Sequence, residues 1–278
     1  MKYCELLKDS EVIDLYSCVS KNTSVCPIDH SIAHINRTCE NATVLAGLLD
    51  LPDKNKDLLL CSCALHDIGM GVSDKDIDSF IDASELRGYV NDHPEISKPN
   101  LIRKFHNDFS SQFVKKYWEL LEIPSEQYAN AIAEVGRGHR KTDLMDENLY
   151  PTGYDLGNGQ CANLALLAAL IRLCDELDIA SDRNPDLLYD TETMEGMSEK
   201  DVFEFSKHDA IHTVNFSEDS IVVIADTDKA DIADGVMEAI RTVKETLEYC
   251  LSVIQERSDF YIDCKRIKLI LNNKEVEV

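Results

Sequence analysis

Apolar residues recur at spacings of three and four along most of the first two thirds of the chain, the period of one face of an α-helix. The pattern predicts helices over Ser31 to Leu51, opening after Asp29 as N-cap, and over Lys56 to Ile68, stopped by Gly69. Three more are predicted over Asn100 to Leu121, Ser125 to Gly138 and Asn163 to Leu177, and the five together make an all-α core. Arg87 to Pro99 and Lys141 to Gly159, rich in Asp, Asn, Pro and Gly, read as loops. The pattern changes near residues 185 to 200: no proline follows Pro185, and only Gly196 and Gly235 follow Gly159. Ala210 to Phe216 and Ile221 to Ala225 then read as strands around the turn Ser217-Glu218-Asp219-Ser220. Ile232, Val236, Ile240, Val243, Leu247, Leu251 and Ile254 mark one face of a long amphipathic helix, and Ile267, Leu269 and Leu271 alternate as in a strand. The expected fold is mainly α, a helical core over residues 1–190 with a small α+β extension over 191–278 (hairpin, long helix, strand). The extension is expected either to cover one side of the helical core or to pair with a second copy, and the apolar face of the long helix would serve a homodimer.

Charge narrows the partners. The chain has 28 basic and 52 acidic side chains, a net charge of −24. Such a chain repels duplex nucleic acid and anionic membrane surfaces, so a phosphorylated substrate needs cations to hold it. The longest nearly uncharged apolar run, Ala162 to Leu170, is far shorter than the ~20 residues of a membrane span. The first residues carry acids and lack an apolar signal core, so a cytoplasmic location is expected. Ten cysteines are too sparse for a disulfide scaffold and read as reduced, mostly buried small hydrophobes.

Candidate chemistry begins with His66 and Asp67, adjacent near the end of an apolar helix that Gly69 terminates. Adjacent helical residues point about 100° apart, so two neighbours share one metal most readily where a helix ends. His34, His106 and His139 lie in other predicted helices, and Asp175 sits among Ala168, Leu170, Ile171, Leu173 and Leu177. A carboxylate there is costly to bury without a cation or strong donors. Arg172 and Asp178, at i−3 and i+3, leave a buried salt-bridge network as the other explanation. His30 lies four residues before His34 and could pair with it on one helix face, but reads as a helix-start residue. His93 reads as a loop residue, His208 and His212 as strand-face residues, and Trp118 with Tyr117 and Phe113 as core. There is no Gly-rich phosphate loop and no Gly-x-Ser-x-Gly elbow.

The order His34, His66-Asp67, Asp175 resembles the signature of the HD superfamily of metal-dependent phosphohydrolases, over roughly residues 25 to 190. Ala64-Leu65-His66-Asp67-Ile68-Gly69 and Arg172-Leu173-Cys174-Asp175-Glu176-Leu177-Asp178 are similar to the surroundings of its motifs. Phe105-His106 and Gly138-His139 resemble the extra ligands of members that hold two metals. Arg103-Lys104-Phe105-His106, Arg137-Gly138-His139, Asp178-Ile179 and Asp182-Arg183 resemble a bacterial subgroup sometimes fused to ATPase domains of the chaperone and histidine-kinase type. Tyr150-Pro151-Thr152-Gly153-Tyr154 departs from the Gly-Tyr-Pro string of the cyclic-dinucleotide branch. The resemblance implies His34, His66, Asp67 and Asp175 on one metal, and Asp67, His106 and His139 on a second. Mixed imidazole and carboxylate ligands suit Mn²⁺, Fe²⁺, Co²⁺ or Zn²⁺, with Mg²⁺ allowed, better than Ca²⁺.

Arg137, Arg140 and Lys141 flank His139, and Arg103 and Lys104 precede His106. Arg137, Arg140 and Lys104 are expected to bind a phosphate, with Asp67, Arg140 and Lys141 in the catalytic set. The other explanation is that these bases balance acids such as Glu134 and Asp143 at solvated helix ends. The expected function is hydrolysis of a phosphoester of a small nucleotide or nucleotide-derived signal by metal-activated hydroxide. The main alternative is a regulatory protein that keeps the metal site to sense a nucleotide without turning it over. A scaffold whose extension binds a partner protein is a third.

Overall fold

The computed structural model describes Tyr16, Val19 and residues 30–140, 142–180, 199–217 and 219–278. It is mainly α, a helical core joined to a small α+β part. Helix α1 (Ile32–Leu48) is capped by Ser31, whose hydroxyl accepts from the Ala33 amide. Ser31 thus takes the role expected of Asp29, which lies outside the described residues. Helix α2 (Asp53–Leu65) begins directly after Pro52 and ends one residue before the His-Asp pair. A 3-10 turn (Ile68–Gly71) follows. A Cβ on Gly69 would stand 2.3 Å from Ser110 N and 2.4 Å from His106 O, so only glycine lets this turn reach the backbone of the helix it packs on.

Two short helices come next, α3 (Ile77–Ala83) and α4 (Arg87–Asp92). The second corrects the loop expected over Arg87 to Pro99: it buries no residue, so it carries no apolar period to read. Helix α5 (Lys98–Tyr117) is capped by Ser97 and leaves helical geometry at Phe105. Helix α6 (Glu126–Arg137) is capped by Ser125. The second expected loop contains a hairpin of β1 (Tyr154–Gly157) and β2 (Gln160–Ala162), turned by Gly157, Asn158 and Gly159, all at positive φ. Helix α7 (Leu164–Glu176), started by the Asn163 side chain on the Leu166 amide, is buried from Leu164 to Cys174. Helices α1, α2 and α6 pack around it, which is why its sequence is apolar on all sides.

Among the described residues, the C-terminal part begins with α8 (Glu199–Asp209), a polar helix absent from the expected elements. Strands β3 (Ile211–Phe216) and β4 (Ser220–Ala225) form the expected hairpin, and α9 (Ala230–Arg257) is the long helix. Strand β5 (Arg266–Leu271) is followed by β6 (Lys274–Val276), which the sequence pattern left out. The sheet order is β3-β4-β5-β6. Strands β4 and β5 run parallel, from Ser220 opposite Arg266 to Ala225 opposite Leu271, a pairing that needs a long crossover, here α9. Asn272 and Asn273, both at positive φ, make the tight turn into β6.

Helix α9 lies against α7 and β5. Ile232, Val236, Ile240, Val243, Leu247 and Ile254 are thereby buried inside the chain. The face that suggested a second copy is covered by the chain itself, which removes that reason for expecting a dimer. The apolar core continues from α7 through α9 to Ile211, Val223 and Leu269 of the sheet. Among the described residues, no helix is long and apolar enough to cross a membrane.

Candidate metal centre

Five elements deliver imidazole and carboxylate groups to one buried point. His34 comes from the first turn of α1, His66 and Asp67 from the end of α2, and His106 from just past the break at Phe105 in α5. His139 stands two residues beyond α6, and Asp175 is in the last turn of α7. His34, His66, Asp67, His106 and His139 are all buried, and the Asp175 side chain is 17% exposed. The six residues singled out in the sequence as metal ligands are therefore neighbours, although up to 141 positions separate them.

Their donor atoms form two groups that share one carboxylate. In the first, His34 Nε2 lies 3.3 Å from His66 Nε2 and 3.3 Å from Asp175 Oδ1, and Asp67 Oδ2 is 3.6 Å from each imidazole nitrogen. In the second, His106 Nε2 lies 2.9 Å from His139 Nε2, and Asp67 Oδ1 is 3.3 and 3.7 Å from them. Asp67 thus turns one oxygen to each group. It can do so because the chain leaves α2 at His66, with Asp67 at φ −103° and ψ 1° between helix and 3-10 turn.

Hydrogen bonds at the far side of each ring fix the tautomers. The Nδ1 atoms of His66, His106 and His139 donate to the carbonyls of Cys63, Arg103 and Gly136 at 2.7, 2.8 and 2.6 Å, each three residues back. His34 Nδ1 donates to Asp178 Oδ2 at 2.5 Å, and Arg37 holds the other oxygen of that carboxylate at 2.8 Å. With its proton on Nδ1 alone, each ring would present only its Nε2 lone pair to the centre.

Protonation relieves only one of the two groups. Burial works to lower the pKa of His66, but Asp67 and then Asp175 overcome it and push it up to about 9. Burial, reinforced by the Arg140 charge and only partly offset by Asp67, pulls His106 down to about 4. Burial and the charge on His66 hold His139 well below its ordinary value. Burial disfavours the charged forms of Asp67 and Asp175, yet the imidazoles hold both well below the usual carboxylate range: His66 and His30 for the first, His34 and His66 for the second. Two neutral imidazoles with lone pairs 2.9 Å apart beside an ionised carboxylate repel one another unless a cation lies among them. The donor set fits a divalent transition metal, and these clusters can hold one.

The HD-CE family model matches residues 19–259. The chain belongs to the HD-CE family. No curated protein sequence matches it.

Two further residues of this HD-CE chain enter the centre. His30, read in the sequence as a helix-start residue, donates from Nδ1 to Asp67 Oδ2 at 2.6 Å and stands within a ligand's reach of His34 and Asp67. Its spacing of four from His34 was the available signal. Asp178, weighed with Arg172 as part of a buried salt-bridge network around Asp175, instead orients His34. Arg172, the other suggested partner, donates to the carbonyls of Gly138 and Thr142 at 2.8 Å. The salt-bridge network considered for Asp175 is not formed: its oxygen faces His34 and His66.

A cavity of about 320 Å³ opens beside the cluster, lined by His30, Asp67, His106 and Asp175 and by the side chains of Arg103 and Arg140. A second, of about 210 Å³, lies beyond Arg140, with His139, Arg172 and Tyr249 in its wall. Arg140 borders both. Arg137 does neither: its Nε donates to Asp108 at 2.7 Å and it approaches Glu134, the acid-balancing role weighed as its alternative. Lys104 rests on α4, bonded to the Tyr89 hydroxyl at 2.9 Å, and lines neither cavity. Lys141 lies outside the described residues. His208, expected on a strand face, is on α8 and borders the larger cavity, while His212 on β3 pairs with Asp226 at 3.5 Å. His93 stacks on Tyr89 at the end of α4.

Proposed function

We propose that this HD-CE protein is a metal-dependent phosphohydrolase acting on a small phosphorylated compound, most consistent with a nucleotide or nucleotide-derived signal. One observation carries the proposal: Asp67 presents one oxygen to His34 and His66 and the other to His106 and His139. A carboxylate so placed is suited to join two metal ions, with His34, His66 and Asp175 completing one ligand set and His106 and His139 the other. Bound there, a pair of Mn, Fe, Co or Zn ions would supply Lewis acidity toward a phosphoryl oxygen and lower the pKa of water.

The chain's own groups account for the rest. The carbonyls of Cys63, Arg103 and Gly136 and the carboxylate of Asp178 hold the four imidazoles in the tautomer that turns Nε2 inward. His30 steadies Asp67 by donating to its Oδ2. Arg140 and Arg103, which no carboxylate among the described residues pairs, offer guanidinium groups to a phosphoryl oxygen beside the cluster. In a chain with net charge −24, those arginines let an anionic substrate approach.

The test is a panel of nucleoside mono-, di- and triphosphates and cyclic nucleotides incubated with Mn²⁺ and either the unchanged protein or Asp67→Asn. Release of phosphate or a nucleotide product by the unchanged protein, lost in the variant, is the expected result. Tight binding with no product would instead favour a nucleotide sensor that retains the metal site.

A further inference from the structure

The cavity beside the metal centre has walls from two parts of the chain. The centre itself, with Arg103 and Arg140, comes from the helical core, whereas α8 and α9 contribute Glu204, Lys207, His208, Ala239, Thr242 and Val243. We propose that the α8 and α9 wall is the substrate-recognition side of the site, and that Lys207 forms with Arg103 and Arg140 an anion subsite for a phosphate of a small ligand. The inference rests on the phosphohydrolase proposal for the reaction, but the subsite is argued from its own geometry.

Charge is the first argument. Only 28 of the 278 residues are Lys or Arg, yet three of them border one cavity of about 320 Å³. Aside from Asp67 and Asp175, which belong to the cluster, the acids of the wall are Glu176 and Glu204, so cations outnumber them. Arg103 and Arg140 face no carboxylate within ion-pair distance among the described residues. Lys207 is paired with Glu204 at 2.5 Å, three residues before it on the same helix. An ammonium has three donors, so the pair with Glu204 leaves others for an incoming phosphate.

Rigidity is the second. His208, buried beside Lys207, donates from Nδ1 to the Ile179 carbonyl at 3.0 Å and so ties α8 to the chain just past α7. On the other side, Phe203 of α8 fits against Gly235 of α9, where a Cβ would lie 2.7 Å from its ring. A cation on such a helix is pre-positioned, and binding orders little else. Size and surface narrow the ligand further. The volume is at the small end of the range for ligand cavities, ~300 to 1,000 Å³. Met70, Ile179, Ala239 and Val243 supply its apolar surface, and among the described residues no Phe, Tyr or Trp lines it. A small ligand that carries a phosphate fits this space, with aliphatic side chains against its organic part.

Calorimetric titration of inorganic phosphate into the full chain, as purified and again after chelation, tests this. Lys207→Ala is expected to weaken binding about tenfold in both preparations, Lys207→Arg to restore it to within about threefold, and Arg140→Ala to weaken it by a similar factor. Wild-type binding that is undetectable after chelation, or unchanged by Lys207→Ala and Arg140→Ala, would overturn the subsite. Metal content measured on the same samples keeps the two proposals apart: a protein that holds metal but binds phosphate independently of Lys207 loses only this one.

Discussion

Asp178 shows how much a single side chain outside the ligand set can decide. It accepts from His34 Nδ1 at 2.5 Å and is itself held by Arg37, so it selects the tautomer that leaves His34 Nε2 facing Asp175 and His66. Asp178→Asn should therefore lower metal affinity by about 10- to 100-fold without removing any ligand. Competition titration with a chromogenic chelator measures this, and unchanged affinity would show that His34 is oriented by something else. The sequence offered Asp178 at i+3 from Asp175, but not the contact with a histidine 144 positions earlier. His30 was hidden for the same reason. Its spacing from His34 is a local fact, whereas its bond to Asp67 exists only because α2 ends where it does. Asp175 was legible as a costly carboxylate inside an apolar helical period and His66-Asp67 by its place at the end of one, whereas His106 and His139 were read through the resemblance to the HD superfamily.

At the scale of elements, two contacts place the turn that carries Asp67 and the helix that carries His106. Gly69 lets the 3-10 turn meet the backbone of α5, so Gly69→Ala must push the two apart. A loss of about 2 kcal/mol or more in urea-denaturation stability is expected. A variant within about 0.5 kcal/mol of the unchanged protein would mean that this approach is not needed.

Asp76, just before α3, receives hydrogen bonds from Lys116, Ser73 and Tyr117, and these, Lys116 foremost, hold its carboxyl below the ordinary value. A depressed folded-state pKa stabilises above the unfolded value and is lost as pH falls through the folded one. Going from about pH 6 to about pH 3, Asp76→Asn should lose less stability than the unchanged protein. Equal losses would remove Asp76 from the account.

The elements that the sequence pattern predicted have long apolar faces, as α1, α5 and α9 do. Of those it missed, α4 buries nothing, α8 is polar and β6 is three residues long, while α3 buries Phe80 and Ile81 but has only seven residues. The Asn272-Asn273 turn was a readable sign of β6, and Gly157-Asn158-Gly159 of the β1/β2 hairpin.

For the whole molecule, the helical core and the C-terminal α+β part share one apolar core, and α9 is the element that joins them. The apolar face of α9 was legible, but its partner was not, because periodicity shows that a face is buried and not against what. Packed on α7 and β5, the face belongs to the interior, and α9 also supplies one wall of the cavity beside the metal centre. That arrangement makes the C-terminal part a component of the site, consistent with a family match that runs on to residue 259.

The central claim is that Asp67 joins two metal ions in a hydrolytic centre, and metal content tests it most directly. Elemental mass spectrometry on protein purified without chelator, beside Asp67→Ala shown to be folded by circular dichroism, should find about two equivalents of Mn, Fe, Co or Zn in the unchanged protein and little in the variant. Absence of metal from the unchanged protein, even after reconstitution with excess Mn²⁺, or full loading of the variant, would contradict it.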